Sequence, residues 1–318
     1  MKTPGIHDSI KSEKRIRSYV RKTPFNKSIF FSELIHASVW FKLENLQITG
    51  SFKVRGALNK LLSLSSDQRA NGVISASTGN HGAAVAYGSG KLGIQSTIYV
   101  PHDTSQSKLE KMELFGAKIE YFGDDCIQCE SKARDISDKT SQAYISPYND
   151  PFVVAGQGTI GVEIENQSNR LDVLIVSVGG GGLISGISSY LKSIWPNLYV
   201  IGCSPENSAI MVHSMKAGKI LDLESKPTIS DGTAGGVEKD SITFPLCSQN
   251  IDETVIVTEQ EIRKAMVLYM QHEHQLLEGS AGVAIASMVK KKDDLIGKRV
   301  GIVICGGNIS LEKLKGVI

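Results

Sequence analysis

The sequence lacks the features that mark membrane, exported and nucleic-acid-binding proteins. No apolar run reaches the ~20 residues that a membrane span needs, and residues 1–13 are polar, without the apolar core of a signal peptide. The formal net charge is only +2, and the basic residues 290–292 are followed directly by two aspartates, which leaves no large positive field for nucleic acid. We therefore expect a cytoplasmic protein with no membrane or nucleic-acid partner.

Cysteine is scarce and scattered. The chain has five cysteines, an odd number, which favours reduced thiols over a disulfide framework. Two of them, Cys126 and Cys129, have the CxxC spacing of redox motifs and of half a zinc site. No second pair and no nearby histidine completes such a site. We therefore interpret the spacing as a coincidence on a helix and expect no metal site.

The length and the pattern of apolar segments predict an α/β protein with two lobes. A chain of 318 residues exceeds the size at which a single core stops growing. Short apolar segments alternate with helical ones, as in parallel sheets with right-handed crossovers. The predicted strands cover residues 72–76, 96–100, 118–121, 142–145, 173–178, 199–202 and 300–304. The predicted helices cover residues 8–22, 80–90, 107–115, 128–139, 159–166, 183–194, 258–274 and 280–289, and the section from 203 to 250 is predicted to be irregular.

The segment around Lys53 has the features of a reactive lysine. Phe52 and Val54 flank it, and Gly50 precedes it in a predicted turn. An amine in such an apolar setting is less hydrated and less basic than usual, so it can act as a nucleophile toward a carbonyl. The alternative is a surface lysine whose methylene stem lies on apolar neighbours. On this segment alone, both interpretations stay open.

The tetraglycine segment (residues 179–182) predicts a phosphate site. Four glycines between a buried strand and a helix allow consecutive backbone N–H groups to converge on a phosphate at the positive end of the helix. The spacing is neither GxGxxG nor GxxxxGK[ST], so it does not fit the dinucleotide or P-loop mechanisms. It favours a phosphate monoester on a compact cofactor, while purely structural glycines are the alternative.

Two further polar turns follow predicted strands, where open α/β sheets bind their ligands. Residues 77–82 offer hydroxyls, an amide and backbone N–H groups to a carboxylate or to a ring oxygen. His81 on its own is more typical of a cap or a core histidine than of a catalyst. After the last strand, the thiol of Cys305 is suited to face a heterocyclic nitrogen without adding a full charge, although a buried structural cysteine is the alternative.

Together these segments resemble the fold type II pyridoxal-phosphate enzymes, and within them the serine/threonine dehydratase and serine racemase branch. The resemblance extends from Thr23 to Asn308 and rests on residues 51–57, 77–82, 156–159, 179–182, 277–282 and 305–308, in the same order and spacing. It implies a two-lobed α/β fold in which each lobe is an open, mainly parallel sheet flanked by helices. We expect a large cofactor-binding domain of residues 1–52 and 147–318 and a small α/β domain of residues 53–146.

The resemblance implies a role for each residue that matches a cofactor motif. Lys53 would hold pyridoxal 5'-phosphate as a Schiff base, and Phe52 would border the ring. Asn80 would hydrogen-bond the ring hydroxyl, Cys305 would face the pyridine nitrogen, and Glu278 would help to orient the cofactor. The phosphate would bind at Gly179, Gly180, Gly181, Gly182 and Leu183.

The resemblance also implies the substrate contacts and two catalytic residues, Lys53 and Thr78. The substrate carboxylate would bind to Ser77, Thr78, Gly79, Asn80 and His81. Lys53 would remove the α-proton as general base. Racemases of this branch carry a serine where Thr78 stands, and threonine adds a methyl group and a stiffer rotamer. We therefore expect elimination rather than racemisation.

The implied activity is that of an ammonia-lyase acting by β-elimination. It would convert L-threonine, L-serine or a related 3-hydroxy amino acid to a 2-oxo acid and ammonia. A serine racemase with dehydratase side activity is the first alternative, and a non-catalytic amino-acid sensor is the second. The relatives' acidic metal ligands are replaced here by Ser204, Ser208 and Ile210, so no metal is expected. The resemblance further implies a homodimer.

Overall fold

The structure is a computed structural model that describes residues 3–104, 106–124 and 126–318. The described residues form ten strands and fourteen α-helices. The strands are β1 (Phe25–Lys27), β2 (Ser38–Leu43), β3 (Val73–Ala76), β4 (Ser96–Val100), β5 (Lys118–Tyr121), β6 (Ala143–Tyr144), β7 (Val173–Ser177), β8 (Tyr199–Pro205), β9 (Glu253–Val257) and β10 (Arg299–Ile304). The helices are α1 (Ile6–Ile16), α2 (Ile29–Leu34), α3 (Lys53–Ser63), α4 (Ser66–Ala70), α5 (Asn80–Leu92), α6 (Gln106–Leu114), α7 (Cys126–Thr140), α8 (Pro151–Gln167), α9 (Gly182–Ile194), α10 (Ile210–Ala217), α11 (Thr243–Asn250), α12 (Glu259–Glu273), α13 (Gly279–Lys290) and α14 (Leu311–Lys315).

The strands form two sheets. The larger sheet has the order β1-β2-β10-β7-β8-β9, and all its neighbouring strands are parallel except β1 and β2. The smaller sheet has the order β5-β4-β3-β6 and is parallel throughout. The prediction of an α/β fold with mainly parallel sheets flanked by helices is therefore confirmed. The domain boundaries stay a prediction, and residues 1 and 2 within them lie outside the described part of the chain.

Strand β7 lies at the centre of the larger core. All five of its residues are buried, and because successive side chains point to opposite faces, both faces of the sheet are covered there. Ile175 lies opposite Ile302 on one side and Ile201 on the other. Burying each such side chain contributes about 1.5–3 kcal/mol relative to leaving it exposed. The predicted apolar strand before the tetraglycine segment is thus the centre of the sheet that positions that segment.

Helix α3, which begins at Lys53, lies between the two cores. Its Leu58 packs in one apolar cluster with Val73 of the smaller sheet. On its other side the helix approaches α8 closely, because a Cβ added to Gly156 of α8 would lie 2.6 Å from the Cα of Gly56. This contact leaves no room for a side chain at either position. The first turn of α3, and with it Lys53, is therefore held between the two sheets.

A buried network of ion pairs also anchors helix α3. The guanidinium of Arg55 binds Glu44 at 2.8 Å and Glu163 at 2.9 Å, and the amine of Lys42 binds Glu163 at 2.6 Å. All four side chains are at most 2% exposed. Burial alone would raise the pKa of Glu163, but Arg55 and Lys42 overcome that effect and hold this pKa at about 2. The network is therefore a set of charges that neutralise one another.

The first predicted helix ends earlier than expected. The sequence predicts a helix over residues 8–22, whereas α1 ends at Ile16. Beyond it the chain turns, so that Val20 joins the core next to the smaller sheet and Thr23 donates a hydrogen bond to Glu44 at 2.5 Å. Tertiary contacts of Val20 and Thr23 thus override the local helical pattern.

The helix predicted over residues 159–166 begins much earlier, at Pro151. Asp150 caps it by accepting hydrogen bonds from the backbone N–H groups of Phe152 and Val153, at 2.8 and 3.1 Å. An aspartate followed by proline is a helix start signal that the prediction of a helix over residues 159–166 did not use. The section from 203 to 250 is predicted to be irregular, but it contains the last residues of β8 and the whole of helices α10 and α11.

Candidate active site

The start of α3 lies beside the end of β10. The backbone N–H of Phe52 donates to the carbonyl of Cys305 at 3.0 Å, so Lys53 is anchored next to the last strand of the larger sheet. The Lys53 amine donates to the carbonyl of Pro147 at 2.9 Å and lies 5.3 Å from the centre of the Phe52 ring. Burial lowers the pKa of Lys53 to about 8, although Glu130 and Glu278 act in the opposite direction. The amine therefore exchanges between its charged and neutral forms near neutral pH.

Three side chains form a polar wall of the cleft. The amide nitrogen of Asn80 lies 3.0 and 2.9 Å from the two carboxyl oxygens of Glu278, and the sulfur of Cys305 lies 3.9 Å from one of them. Burial raises the pKa of Glu278 to about 7. Burial, with Glu278 as a smaller cause, also raises the pKa of the Cys305 thiol well above its ordinary value. Cys305 is therefore a neutral thiol at physiological pH.

The tetraglycine segment forms a tight turn at the start of α9. Gly181 precedes the helix with φ +81°, a conformation that favours glycine, and Gly182 is its first residue. A Cβ added to Gly180 would lie 2.5 Å from the ring of Tyr148, and the Thr243 hydroxyl donates to the Gly180 carbonyl at 2.6 Å. The first N–H groups of an α-helix have no partner within the helix, which suits them to a phosphate. Leu183 follows in the first turn and is buried.

The 77–82 loop joins β3 to α5. Its Ser77 hydroxyl accepts from the backbone N–H of Gly79 at 3.2 Å, and a Cβ added to Gly79 would have no atom within 4 Å. Thr78 is partly buried, and among the described residues no hydrogen bond joins it to Lys53. The loop is therefore an open edge of the cleft.

His81 lies behind this loop as a buried, neutral histidine. Its Nε2 lies 2.8 Å from the carbonyl of Ile145, and its Nδ1 has no hydrogen-bond partner among the described residues. Burial, followed by the nearby Lys53 charge, lowers the pKa of His81 to about 3. A neutral ring of this kind can orient neighbours but does not supply a charge to a carboxylate.

Sequence reasoning missed a second group of polar residues at the cleft. Glu238 accepts hydrogen bonds from Arg134 of α7 at 2.7 Å and from Asn149 at 2.6 Å. Its backbone N–H donates to the Tyr148 hydroxyl at 2.9 Å. The guanidinium of Arg134 lies 4.3 Å from the centre of the Tyr144 ring. These contacts tie the glycine-containing segment at 232–236 to the smaller sheet, and the only sequence signal was the glycine density before Glu238.

Asn308 is a further residue that the sequence analysis placed in a motif without a role. Its amide nitrogen donates to the Asn80 side-chain oxygen at 2.6 Å. Gly306, two residues earlier, is also required, because a Cβ added to it would lie 2.7 Å from the Glu278 carboxyl group. The CxxC spacing, by contrast, contributes nothing that can be assigned here, because the side chain of Cys126 lies outside the described part of the chain.

Neither a metal cluster nor a membrane-spanning helix occurs in the described part of the chain. Within residues 3–104, 106–124 and 126–318, no three His, Cys, Asp or Glu side chains are arranged to hold a metal ion. No helix in those ranges is long and apolar enough to cross a membrane. Ser204, one of the three residues that replace the relatives' acidic metal ligands, donates its hydroxyl hydrogen to the Val178 carbonyl at 2.8 Å.

The cleft fits a compact aldehyde cofactor that carries a phosphate. Lys53 supplies an amine of lowered pKa, and the tetraglycine segment supplies a turn so closely packed that a Cβ at Gly180 or Gly182 would collide with Tyr148. Cys305 supplies a neutral thiol for a ring nitrogen. Asn80 would then hold a ring oxygen through its amide N–H group.

Comparisons with known proteins agree with this geometry. The profile of a family described as "Pyridoxal-phosphate dependent enzyme" matches residues 16–306. The chain is 39% identical to the L-threonine ammonia-lyase of Thermotoga maritima over 98% of this chain and 78% of that protein. It is 35% identical to the catabolic L-threonine dehydratase TdcB of Escherichia coli K12, over 98% of this chain and 95% of that protein.

Among solved structures, the serine racemase of Dictyostelium discoideum is similar to this chain. It has a TM-score of 0.90 and 36% sequence identity, and the match covers 98% of this chain and 100% of that one. The match therefore includes both sheets and the cleft between them. By sequence, by fold and by the residues of its cleft, the chain belongs to the family of pyridoxal-phosphate dependent enzymes.

Proposed function

We propose that this protein is a β-eliminating ammonia-lyase that converts L-threonine, L-serine or a related 3-hydroxy amino acid to a 2-oxo acid and ammonia. One observation carries the proposal. The Lys53 amine, with its pKa lowered to about 8, shares the cleft with a Cys305 thiol that burial keeps neutral. The printed names of the Thermotoga and Escherichia relatives support the same reaction.

Lys53 has two tasks in this proposal, covalent attachment and proton transfer. Bound pyridoxal phosphate supplies an electron-withdrawing ring that weakens the bonds at the α-carbon of an attached amino acid. Once freed by a substrate amine, Lys53 would accept the α-proton as general base. A pKa of about 8 places the neutral, proton-accepting amine within reach of physiological pH.

Cys305 favours elimination in this proposal. A neutral thiol can donate or accept one weak hydrogen bond, but it cannot stabilise a full positive charge on a ring nitrogen. Without that charge the electrons released at the α-carbon would be delocalised less, and loss of the β-hydroxyl would be favoured over transamination. The hydroxyl would leave as water, with a proton that the cofactor phosphate would supply. Glu278 and Asn80 would hold the ring beside Lys53.

The Ser77 to His81 segment would bind the substrate carboxylate. Its open position at the start of α5, where backbone N–H groups lack helical partners, supports that role. Neutral His81 would orient the loop rather than bind the carboxylate through charge. The Ser77 and Thr78 hydroxyls and the Gly79 N–H would be the donors.

A substrate panel on purified holoenzyme tests the proposal. We expect 2-oxo acid and ammonia in equal amounts from threonine or serine, with 3-hydroxyaspartate and phenylserine as the competing candidates. The Lys53→Ala variant is the control for non-enzymatic release. Absence of 2-oxo acid with all four substrates, from protein that holds its cofactor, would contradict the proposal.

Racemisation is the second candidate, and a specific observation favours it. The solved structure of the Dictyostelium discoideum serine racemase is similar to this chain. Thr78 also retains the hydroxyl that a second acid/base on the far cofactor face requires. Incubation with L-serine separates the two reactions, because the lyase yields pyruvate and the racemase yields D-serine. D-serine accumulating faster than pyruvate would make racemisation the main activity. A cofactor absorbance band that is unchanged by hydroxy amino acids would instead indicate a sensor.

We also propose a cytoplasmic homodimer in which residues 53–146 form the small domain and residues 1–52 and 147–318 the large one. The separate smaller sheet and its apolar clusters support the division. The family resemblance suggests the homodimer, and exposed apolar residues such as Ile29, Leu311 and Ile318 are candidates for contacts with a second copy. Light scattering on the eluting protein would report one chain or two.

A further inference from the structure

A chain of side-chain hydrogen bonds crosses the cleft three times. Lys111 of α6 donates to the side-chain oxygen of Asn308 at 2.9 Å and to the carbonyl of Thr49 at 2.9 Å. The amide nitrogen of Asn308 donates to the Asn80 side-chain oxygen at 2.6 Å. Asn80 in turn donates to Glu278 at 2.9 Å. Lys111 and Asn80 lie on helices beside the smaller sheet, whereas Asn308 and Glu278 lie beside the larger one.

The two ends of this chain fix its direction. An ammonium group can only donate hydrogen bonds, and an ionised carboxylate can only accept them. A side-chain amide can be turned so that its oxygen and nitrogen exchange places, and only its neighbours decide which way it points. Lys111 requires an oxygen from Asn308, and the Thr49 carbonyl, which can only accept, binds the Asn308 nitrogen at 2.9 Å. Both contacts place the Asn308 nitrogen toward the Asn80 oxygen. The Asn80 nitrogen is thereby directed to Glu278 at the wall of the cleft, and one of its two N–H groups can serve a ligand there.

The Glu278 end alone is a weak anchor. Glu278 is faced by Lys53 of α3, by Asp231, by Cys305 after β10 and by Lys111 of α6. Burial raises its pKa to about 7, and a protonated carboxyl can donate as well as accept. Such a group no longer selects one orientation of Asn80. The Lys111 end keeps the direction that the Glu278 end can lose.

We propose that Lys111 is a positioning residue for the cofactor: through Asn308 it holds Asn80 with its N–H group toward the cofactor ring oxygen. This inference rests on the proposed cofactor role of Asn80. In this role Lys111 does not touch the cofactor, because the side-chain amides of Asn308 and Asn80 lie between it and the ring. Its effect is therefore on the orientation of a contact and not on the chemistry.

A simpler reading is that Lys111 only ties α6 to the larger lobe through Thr49. The two interpretations predict different effects on the bound cofactor when Lys111 is removed. A tether affects the free energy of unfolding and leaves the bound cofactor as it is. A positioning residue changes cofactor affinity and the absorbance of the bound ring, because the hydrogen bond to the ring oxygen is weakened.

The test uses holoenzyme of wild type, Lys111→Met and Lys111→Arg, with Lys108→Met as the matched control. Lys108 is an exposed lysine on the same helix. Loss of one charge-assisted contact in the chain is expected to weaken pyridoxal-phosphate binding about tenfold in Lys111→Met, which corresponds to ~1.4 kcal/mol. We expect Lys111→Arg to bind within about threefold of wild type and Lys108→Met to be unchanged. The absorbance maximum of the bound cofactor should move in Lys111→Met only.

Asn308 provides the second measurement. If Asn308 transmits the effect, Asn308→Ala should weaken binding as Lys111→Met does, and the double variant should be no weaker than the single ones. Unchanged affinity and absorbance in Lys111→Met, with a lowered melting temperature, would overturn the proposal in favour of a tether. Wild type that binds no pyridoxal phosphate at Lys53 would instead overturn the proposed function, so the two failures are distinguishable.

Discussion

Lys42 and Lys53 both bring an amine into the interior, but their surroundings differ. The Lys42 amine has three acceptors, namely Glu163 at 2.6 Å and the oxygens of Thr23 and Gln167 at 2.8 Å. The Lys53 amine, among the described residues, has one acceptor, the Pro147 carbonyl. Burial lowers the pKa of both amines. Only Lys53 is left with hydrogen-bonding capacity for a ligand.

The carboxylates of the two regions differ in the same way. Glu163 is paired with Arg55 and Lys42 and has its pKa held at about 2, whereas Glu278 has amide and thiol neighbours and its pKa is raised to about 7. A buried charge that is fully paired is inert and contributes to the structure. A buried charge without a full partner is available for binding and proton transfer. Arg55 and Lys53, two residues apart on α3, connect the two regions.

The largest expected effect separates activity from stability at Lys53. Lys53→Ala should lower turnover by at least about 10²–10⁴-fold, the range for loss of a positioned general base. It should also abolish the cofactor absorbance band. The free energy of unfolding of the cofactor-free protein should not fall, because a poorly paired buried amine is removed. Urea unfolding and a turnover assay on the same preparation check both parts, and the exposed Lys22→Ala is the control.

The paired region should respond in the opposite way. Glu163→Gln leaves Arg55 and Lys42 without their shared counter-charge, so it should lower the free energy of unfolding by about 3–5 kcal/mol. The exposed pair of Asp135 and Lys139 is the contrast, and Asp135→Asn should cost less than about 1 kcal/mol. A loss below ~1 kcal/mol in Glu163→Gln would remove the distinction between the regions.

The same comparison predicts a pH dependence. The folded-state pKa of Glu163 is about 2, below its ordinary 4.5, so its stabilisation is present above pH 4.5 and is lost as the pH falls toward 2. Wild type should therefore lose stability across that window more steeply than Glu163→Gln. Equal slopes for the two proteins between pH 4.5 and 2 would contradict the assignment.

The smallest expected effect lies at Glu278. Burial raises the pKa of Glu278 from 4.5 to about 7, so above pH 7 its buried carboxyl group is charged in the folded state. This ionisation is less favourable in the folded than in the unfolded protein and therefore lowers the free energy of unfolding. Glu278→Gln at pH 8 should leave the free energy of unfolding unchanged or raise it by about 1 kcal/mol, while cofactor binding weakens. Urea unfolding and cofactor titration at pH 8 measure the two effects. A clear loss of stability would place Glu278 with the structural charges.

Local sequence patterns predicted the parts of the site that one segment can encode. Apolar neighbours around Lys53, a buried strand before the tetraglycine segment and alternating strands and helices are all short-range features. The structure therefore confirms the α/β fold and the strand β7, and it places the predicted residues of the polar wall together. The roles of those residues stay predictions.

Long-range pairing explains what the sequence could not provide. Lys53 binds Pro147, and Asn308 binds Asn80, across separations of 94 and 228 residues. Nothing local in either segment specifies its partner. Likewise, α1 ends early because Val20 and Thr23 have tertiary contacts, and Glu238 acquires its role from Arg134 on a distant helix.

Reduction with borohydride in the presence of pyridoxal phosphate, followed by peptide mapping, tests the central claim most directly. The reagent makes the bond between cofactor and lysine permanent, so the labelled peptide identifies the amine. The account predicts a single label, at Lys53, with the buried and ion-paired Lys42 unlabelled. A label at Lys42 or at another lysine, or no label at all, would contradict it.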